Sequence, residues 1–552
     1  MDHLPQIIAS ACPDSKIASK LKIKRKKATQ LIKILIGPSN KDELILDLKE
    51  NYFSIILDET TDISTSKCLA VIARYYKNNK ILDRFFILVE IENSTANGLF
   101  QAIKGMLTKY NIPFKHVIGF GADTCSVMMG NKNGLKVLFE DLNPNIITNG
   151  CTCHSFHLCS SYACEKLPRS IEQFSRDIYN YFSNSSKRCM ELKECEVFAN
   201  ERPHAMLCPS QTRWLSLQSV INRILEHWAS LELFFTRAAI EDNISSAQNI
   251  LSALHNPVYK LYFYFLSYVL DIMNRLNLEF QSEIPKVHVL LKRVTTLYKL
   301  ILKSFIKGPY LQVIDIGKVT ITDPEKYLSL ENIYCGPKAD IFIKQSNMDS
   351  ADVKNFHLRV LEFYVELCKQ IKKRFNFGEA ILKFASYFDP TVIFSSEITS
   401  ISEADNIFPF LNIDLQELDL EYRILGETEE LKKYAVDGDV TEFWANVECM
   451  KNSLNEKIFP NIMVVAKCIM SLPHSSAAAK RIFSQLNLIK TKTRNKLLVP
   501  TCESLLHAKD MLRVQNKKCY EWVPTSKITT YNKTFIDETA VFEDDILFET
   551  KT

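Results

Sequence analysis

Between Asn51 and Ile91 apolar runs alternate with short polar breaks in the pattern of β-strands. Tyr52 to Leu57 is a brief run of aromatic and β-branched residues that stops at Asp58, which suits a central strand buried on both faces. A polar loop follows, then a second run from Cys68 to Tyr76. Lys77-Asn78-Asn79-Lys80 turns straight into a third run, Ile81 to Ile91, so these two form a predicted hairpin. Three consecutive strands result, with a carboxylate ending the first. Such a group is costly to bury unless it is hydrogen-bonded or holds a cation.

Beyond the third strand, Thr95 or Asn97 can cap a helix whose face carries Leu99, Ile103, Met106, Leu107 and Tyr110. Asn111-Ile112-Pro113 ends it. His116 to Asp123 reads as a strand running into a second acid, and a helix follows from about Gly134 to Asp141. A strand reached through a crossover helix is expected parallel to the first, which would bring Asp58 and Asp123 together. Paired carboxylates at adjacent strand ends suit divalent-metal phosphoryl transfer, where two ions about 3.5–4 Å apart clamp the attacking and leaving oxygens. Alone, two such acids more often serve strand capping and turn formation. Cys151, Cys153, His154, His157, Cys159 and Cys164 then crowd one strand-to-helix junction. Structural zinc wants two separated ligand pairs, so this segment reads as a thiol-rich packing junction in preference to a metal site.

From Leu167 to about Glu442 the periodicity is helical, as in Leu217-Val220-Ile221-Ile224-Leu225-Trp228, and Trp214 and Trp228 read as core anchors. Residues 14–35 space Ile17, Leu21, Ala28 and Leu31 among many lysines. The cluster Lys24, Arg25, Lys26, Lys27 suits phosphate contacts, a nuclear-import signal or simply a solvated helix face. A break is expected at Gly37-Pro38-Ser39-Asn40. Near the C-terminus Phe459, Ile462, Val465, Ala466 and Ile469 share one helix face. Ser475 or Ser476 can cap a further helix bearing Phe483, Leu486 and Ile489.

Composition adds bounds. The 552 residues allow two to four domains, and a net charge of +4 argues neither for nor against nucleic acid. The most lipid-like window, Leu261 to Leu270, is far short of the roughly 20 residues that span a bilayer. Sixteen cysteines without a secretory leader read as reduced intracellular thiols. A soluble intracellular protein is expected, with no membrane partner and no small-molecule substrate.

Six blocks carry a resemblance: FSIILDETTDIS at 53–64, GFGADTCSVMMG at 119–130, CTCHSFHL at 151–158, QTRWLSL at 211–217, FWANV at 443–447 and SLPHSSAAAKRIFSQLNLIKTKTRNKLL at 471–498. In this order they resemble the hAT transposases and their domesticated descendants, from about residue 10 to about residue 515. The resemblance implies an α/β RNase H-like core, its mixed sheet opening with three antiparallel strands, interrupted by a large all-α insertion in a predominantly helical chain. The implied division is a basic helical segment at 1–50, the first part of the core at 51–166, the insertion at 167–440, a C-terminal dimerisation region completing the core at 441–515, and a polar tail at 516–552. It also implies self-association, with Trp444, Phe459, Ile462, Val465, Phe483 and Leu486 as the dimerisation residues. Cys151 and His154 belong to a family motif, and Trp214 matches a tryptophan linked in the family to flanking DNA.

Two departures shape the functional expectation. Active relatives carry a glutamate directly before the arginine of the Arg-Ile-Phe-Ser motif, where this chain has Lys480 followed by Arg481-Ile482-Phe483-Ser484. Unit charges at about 4 Å in an effective dielectric near 20 interact by about 4 kcal/mol, so an ammonium there repels a divalent ion by up to roughly 8 kcal/mol. A catalytically inactive protein is expected, with no cofactor, Mg²⁺ or Mn²⁺ mattering only if activity remains at Asp58 and Asp123. The chain also shows no C-x2-C…H-x3-5-H spacing before Asn51, whereas the family usually begins with a zinc finger that reads DNA. The expected partners are a second copy, non-specific DNA and other nuclear proteins, in the nucleus. An active transposase using Glu448 or Glu456 as the third acid, and a protein-interaction module without nucleic-acid contact, are the alternatives.

Overall fold

The computed structural model describes residues 2–61, 66–209, 214–241, 244–395, 400–437, 439–524 and 528. Its sheet has five strands: β1 (Phe53–Thr61), β2 (Lys67–Lys77), β3 (Lys80–Glu90), β4 (Val117–Ala122) and β5 (Ile147–Gly150), in the spatial order β3-β2-β1-β4-β5. β1, β2 and β3 are antiparallel, and β4 joins β1 in parallel with Ser54 opposite Gly119 and Ile56 opposite Gly121. Asn78 and Asn79 turn the β2–β3 hairpin with φ of 50° and 61°, the left-handed pair that matches strand twist and that asparagine tolerates. The first strand is longer than its apolar run. It continues past Asp58 to Thr61 because β2 keeps pairing with it, Asp58 opposite Ala70 and Glu59 opposite Leu69. The first acid therefore lies inside β1, near the level at which its other neighbour, β4, ends. Asp62 to Thr65 lie outside the described residues.

The two faces of the sheet follow the period-2 alternation of side chains. Ile55 and Leu57 point to one core with Leu44 and Leu48 of the Gly37–Glu50 helix, Leu99 and Ile103 of the Ala96–Lys109 helix, and Phe139 of the Leu135–Leu142 helix. Thr95 caps the Ala96–Lys109 helix, its hydroxyl accepting from the Gly98 N–H at 3.2 Å. Ile56, Ala70 and Ile72 face the other way, against Ala479, Ile482, Phe483 and Leu486 of the Ala477–Ile489 helix and Leu506 of the Val499–Val514 helix. The break expected at Gly37-Pro38 is absent. A π-helical turn over Ile32–Ile36 leads directly into the Gly37–Glu50 helix, and Pro38 sits in its first turn, where no N–H is required.

The chain divides into two compact units. One comprises Met1–Cys151, Ser282–His288 and Phe384–Thr552; the other comprises Thr152–Gln281 and Val289–Lys383. Residues 384–440, read from sequence as part of the helical insertion, thus group with the sheet. Within the second unit the described elements are helical, among them Thr152–Cys164, Ser186–Phe198, Trp214–Glu226, Trp228–Glu241 and Ser350–Arg374. Its interior is aromatic: Phe174 packs on Trp228 with ring centroids 6.0 Å apart, and Phe265 on Phe363 at 5.1 Å. Trp228 is buried, as a core anchor should be. Trp214 opens its helix, but its side chain lies outside the described residues, as do Gln211 to Arg213. Among the described residues no helix is long and apolar enough to cross a membrane.

Candidate functional site

The site begins with two glycines. A Cβ on Gly119 would stand 2.2 Å from Ser54 Oγ and 3.0 Å from Pro473 Cδ, and one on Gly121 would stand 2.6 Å from Pro473 Cβ. Bare backbone on β4 therefore lets the segment before the Ala477–Ile489 helix lie directly on the sheet. Two hydrogen bonds fix that segment to the strand ends. The Asn149 amide donates to the Pro473 carbonyl at 3.2 Å, and the Ser476 N–H donates to Cys151 Sγ at 3.2 Å. The backbone also joins β5 to β4, Cys151 N–H to the Ala122 carbonyl at 2.8 Å. The helix thus starts beside the ends of β4 and β5, with Lys480 in its first turns.

Asp58, Asp123 and Lys480 meet electrostatically at this end of the sheet. Burial pushes the Asp58 carboxyl up to about 7; Lys480 opposes the rise, and Asp123 and Cys151 add to it. The Asp58 Oδ1 accepts from the Glu59 N–H at 3.0 Å, and Asp123 Oδ1 from the Cys125 N–H at 3.3 Å. Glu59 is a third carboxylate that sequence reasoning passed over. Its own carboxyl is raised, first by burial and further by Asp123, with Lys67 opposing, and its Oε1 is buried without a hydrogen bond. The signal was present as the dipeptide Asp58-Glu59, but neighbours in a strand point to opposite faces. Glu59 therefore does not stand in for the acid missing at Lys480.

The alternative acids are elsewhere. Glu448 accepts from Tyr76 Oη and Lys467 Nζ, both at 2.6 Å, and from Lys457 Nζ at 3.1 Å. Burial pushes its carboxyl up, and these hydrogen bonds outweigh that and hold it below its ordinary value. Tyr76 lies six residues along β2 from Ala70, the partner of Asp58, a distance of roughly 20 Å at strand rise. Glu456 is exposed and bonded to Asn452 at 3.0 Å. The donor set around Asp58 is consequently two carboxylates facing an ammonium, which does not fit a pair of divalent ions.

The remaining sequence-selected residues fall in three places. Lys24, Arg25, Lys26 and Lys27 are exposed at the start of the Arg25–Leu31 helix, where Arg25 N–H donates to Asp2 Oδ1 at 2.9 Å. Cys151 belongs to the acid end of the sheet as described, and His154 lies half-buried in the Thr152–Cys164 helix. The thiols of Cys159 and Cys164 are driven upward by burial, the first to about 12, so both are neutral. Trp444, Phe459, Ile462, Val465, Phe483 and Leu486 are 0–9% exposed. Within one protomer Phe483 and Leu486 pack under β1 and β2, and Trp444 packs on Phe388 at 5.7 Å between centroids. Apolar residues at helical spacing mark whichever face is covered, and here the protomer's own core covers it.

A parallel β1–β4 pair with Asp58 late in β1 and Asp123 directly after β4, flanked by an antiparallel hairpin, is the arrangement of an RNase H-like sheet. Residues 7–134 match the ZMYM1/FAM200 RNase-like domain, and residues 421–512 match the hAT family C-terminal dimerisation region. The chain thus matches an RNase-like domain over one stretch and a hAT-family dimerisation region over another. It is similar to the General transcription factor II-I repeat domain-containing protein 2 of Bos taurus, with 20% identity over 515 residues. That alignment takes in 90% of the present chain and 47% of the relative, so the chain spans about half the length of the protein it matches.

Proposed function

We propose that this protein is a catalytically inactive hAT-derived nuclear factor that self-associates through its C-terminal region and works as a DNA-associated or scaffold protein. The observation that carries this reading is Lys480, a cation facing Asp58 where active relatives supply a glutamate. A bound Mg²⁺ or Mn²⁺ would supply Lewis-acid activation of a phosphodiester. Lys480 instead contributes a positive charge that lowers the affinity of Asp58 and Asp123 for any such ion. The matched dimerisation region supports self-association, and the transcription-factor name of the similar bovine protein supports a nuclear role. The exposed run Lys24 to Lys27 supplies charge for phosphate contacts that do not read sequence.

The test is calorimetric titration of Mn²⁺ into the wild type and into Lys480→Glu. A silent wild type and a binding variant are expected. Two tight ions in the wild type would overturn the inactive reading and point to an active transposase. Fluorescence anisotropy with random duplex DNA at low and physiological salt separates a DNA-associated factor from a pure protein-interaction module. Absence of binding at both salts would favour the latter.

A further inference from the structure

We propose that His204, Glu226 and His227 form a binding site for one zinc-class divalent cation in the helical unit, remote in sequence from Asp58 and Asp123. The side chains come from three adjoining stretches. His204 sits in the loop after the Ser186–Phe198 helix, Glu226 ends the Trp214–Glu226 helix, and His227 joins that helix to Trp228–Glu241. One ligand atom from each lies within 4.8 Å of the others.

The hydrogen bonds around His227 fix which nitrogen faces the cluster. The ring is fully buried, and its Nδ1 lies 3.3 Å from Glu196 Oε1 and 3.2 Å from Glu201 Oε2. Nδ1 between two carboxylate oxygens carries the proton. Nε2 then offers its lone pair to the side where His204 and Glu226 stand, and it makes no hydrogen bond. Its nearest acid oxygen, Glu226 Oε2, is 3.7 Å away. His204 Nδ1 is likewise buried without a hydrogen bond, 3.5 Å from Glu226 Oε1. A buried acceptor left unpaired costs about 1–3 kcal/mol, and two of them converge here.

A cation resolves that arrangement. Tetrahedral zinc with bonds of about 2.0–2.2 Å holds its ligand atoms roughly 3.3–3.5 Å apart, against 3.5 Å from His204 Nδ1 to Glu226 Oε1 and 3.7 Å from His227 Nε2 to Glu226 Oε2. Glu226, half exposed at a helix end, can turn one oxygen toward both rings, and the loop carrying His204 can close the rest from the present spread of up to 4.8 Å. Two imidazoles and a carboxylate select zinc over magnesium or calcium, and a water completes the fourth position. Glu196 and Glu201 on the far nitrogen of His227 are the carboxylate partners that orient and strengthen a metal-bound imidazole. Glu201 is itself held by the Ser230 hydroxyl, and Arg223 ties the loop by donating to the Ala205 carbonyl at 2.9 Å while pairing with Glu226 at 3.3 Å. Glu196, Glu201 and Glu226 set three carboxylates against the one guanidinium of Arg223, an excess of negative charge that a divalent ion offsets. The ion would pin the loop carrying His204 to the helices on either side.

The experiment is titration of Zn²⁺ into the metal-free full-length chain against a competing chelator, with Co²⁺ as a spectroscopic probe. One ion per chain is expected, with a ligand-field spectrum lacking a thiolate charge-transfer band. His204→Ala, on a surface loop and harmless to the core, should weaken binding at least about 100-fold, and Glu201→Gln about 10–100-fold. Asp58→Asn with Asp123→Asn should bind as the wild type. Absence of a tight ion in the wild type would overturn the site, as would binding indifferent to both His204→Ala and Glu226→Gln, or a thiolate band placing the ion on cysteines.

Discussion

Gly121 of β4 lies so close to Pro473 that a Cβ there would stand 2.6 Å from the proline's own Cβ. This contact sets the height at which the Ala477–Ile489 helix starts, and so the position of Lys480 over Asp58. Gly121→Ala must push the segment off the sheet, which should cost about 1–3 kcal/mol, as overpacking does. The comparison is Gly105→Ala, exposed on the Ala96–Lys109 helix with nothing within 4 Å of the added carbon. That change should stabilise by about 0.5–1 kcal/mol through the unfolded chain. Urea melts of the two variants should move in opposite directions. Equal and small shifts would mean that Pro473 does not rest on β4.

Asp58 makes stability depend on pH in a direction opposite to most carboxylates. Its folded value, about 7, is above its ordinary 3.8, chiefly because it is buried. Between about pH 4 and 7 the unfolded chain loses this proton first, so this group's contribution to stability falls as pH rises. Above pH 7 the folded state holds a half-buried, desolvated carboxylate and the loss is complete. Asp58→Asn should therefore leave stability unchanged near pH 4 and raise it by roughly 1–3 kcal/mol at pH 8. Thermal melts across pH 4 to 8 check this, and a constant difference over the whole range would refute it.

The fold near the acids is legible in sequence because local signals agree there. The apolar runs, the Asn78-Asn79 turn and the Thr95 cap each specify one element, and the parallel pairing of β1 with β4 follows from the crossover. The gaps are long-range. Ser282–His288 leaves the helical insertion to join the sheet unit, held by Arg74 and Arg481 through Glu283, and no periodicity announces such an excursion. His204 and His227 carry no recognisable metal spacing, because the Trp214–Glu226 helix separates them along the chain. The residues that the resemblance assigns to dimerisation are apolar and buried, and an apolar helical face reports burial while staying silent about which chain does the burying.

Arg74 and Asp83 sit directly opposite each other on β2 and β3, almost fully buried, joined by Nε to Oδ1 at 2.6 Å and Nη2 to Oδ2 at 2.8 Å. Burial works against the Asp83 charge, but the two arginines facing it, Arg74 and Arg481, hold its carboxyl below the usual range. His474 Nδ1 lies 3.0 Å from Arg74 Nη1, and burial together with Arg74 keeps that imidazole neutral, so it accepts. Arg74→Ala leaves the buried Asp83 carboxylate with Arg481 at 3.5 Å in place of a bidentate partner and should cost about 3–5 kcal/mol at neutral pH. The loss should shrink as pH falls through the Asp83 value, because protonation removes the buried charge. Denaturation at neutral and acidic pH measures both effects.

Phe483 and Trp444 test where self-association resides. Both lie in the segment matching the hAT dimerisation region, yet they are 9% and 1% exposed inside one protomer. Truncating a buried aromatic removes its transfer free energy and leaves a cavity, at about 3–5 kcal/mol. Phe483→Ala opens that cavity beneath Ile56 and Ile72 of the sheet, and Trp444→Ala opens it beside Phe388. Each variant should therefore lower the melting midpoint by the same amount at every protein concentration, because an interior contact does not depend on mass action. At temperatures where the variants remain folded, they should sediment as the wild type does. A folded variant that dissociates, with its protomer stability intact, would show that these side chains leave the core to meet a partner.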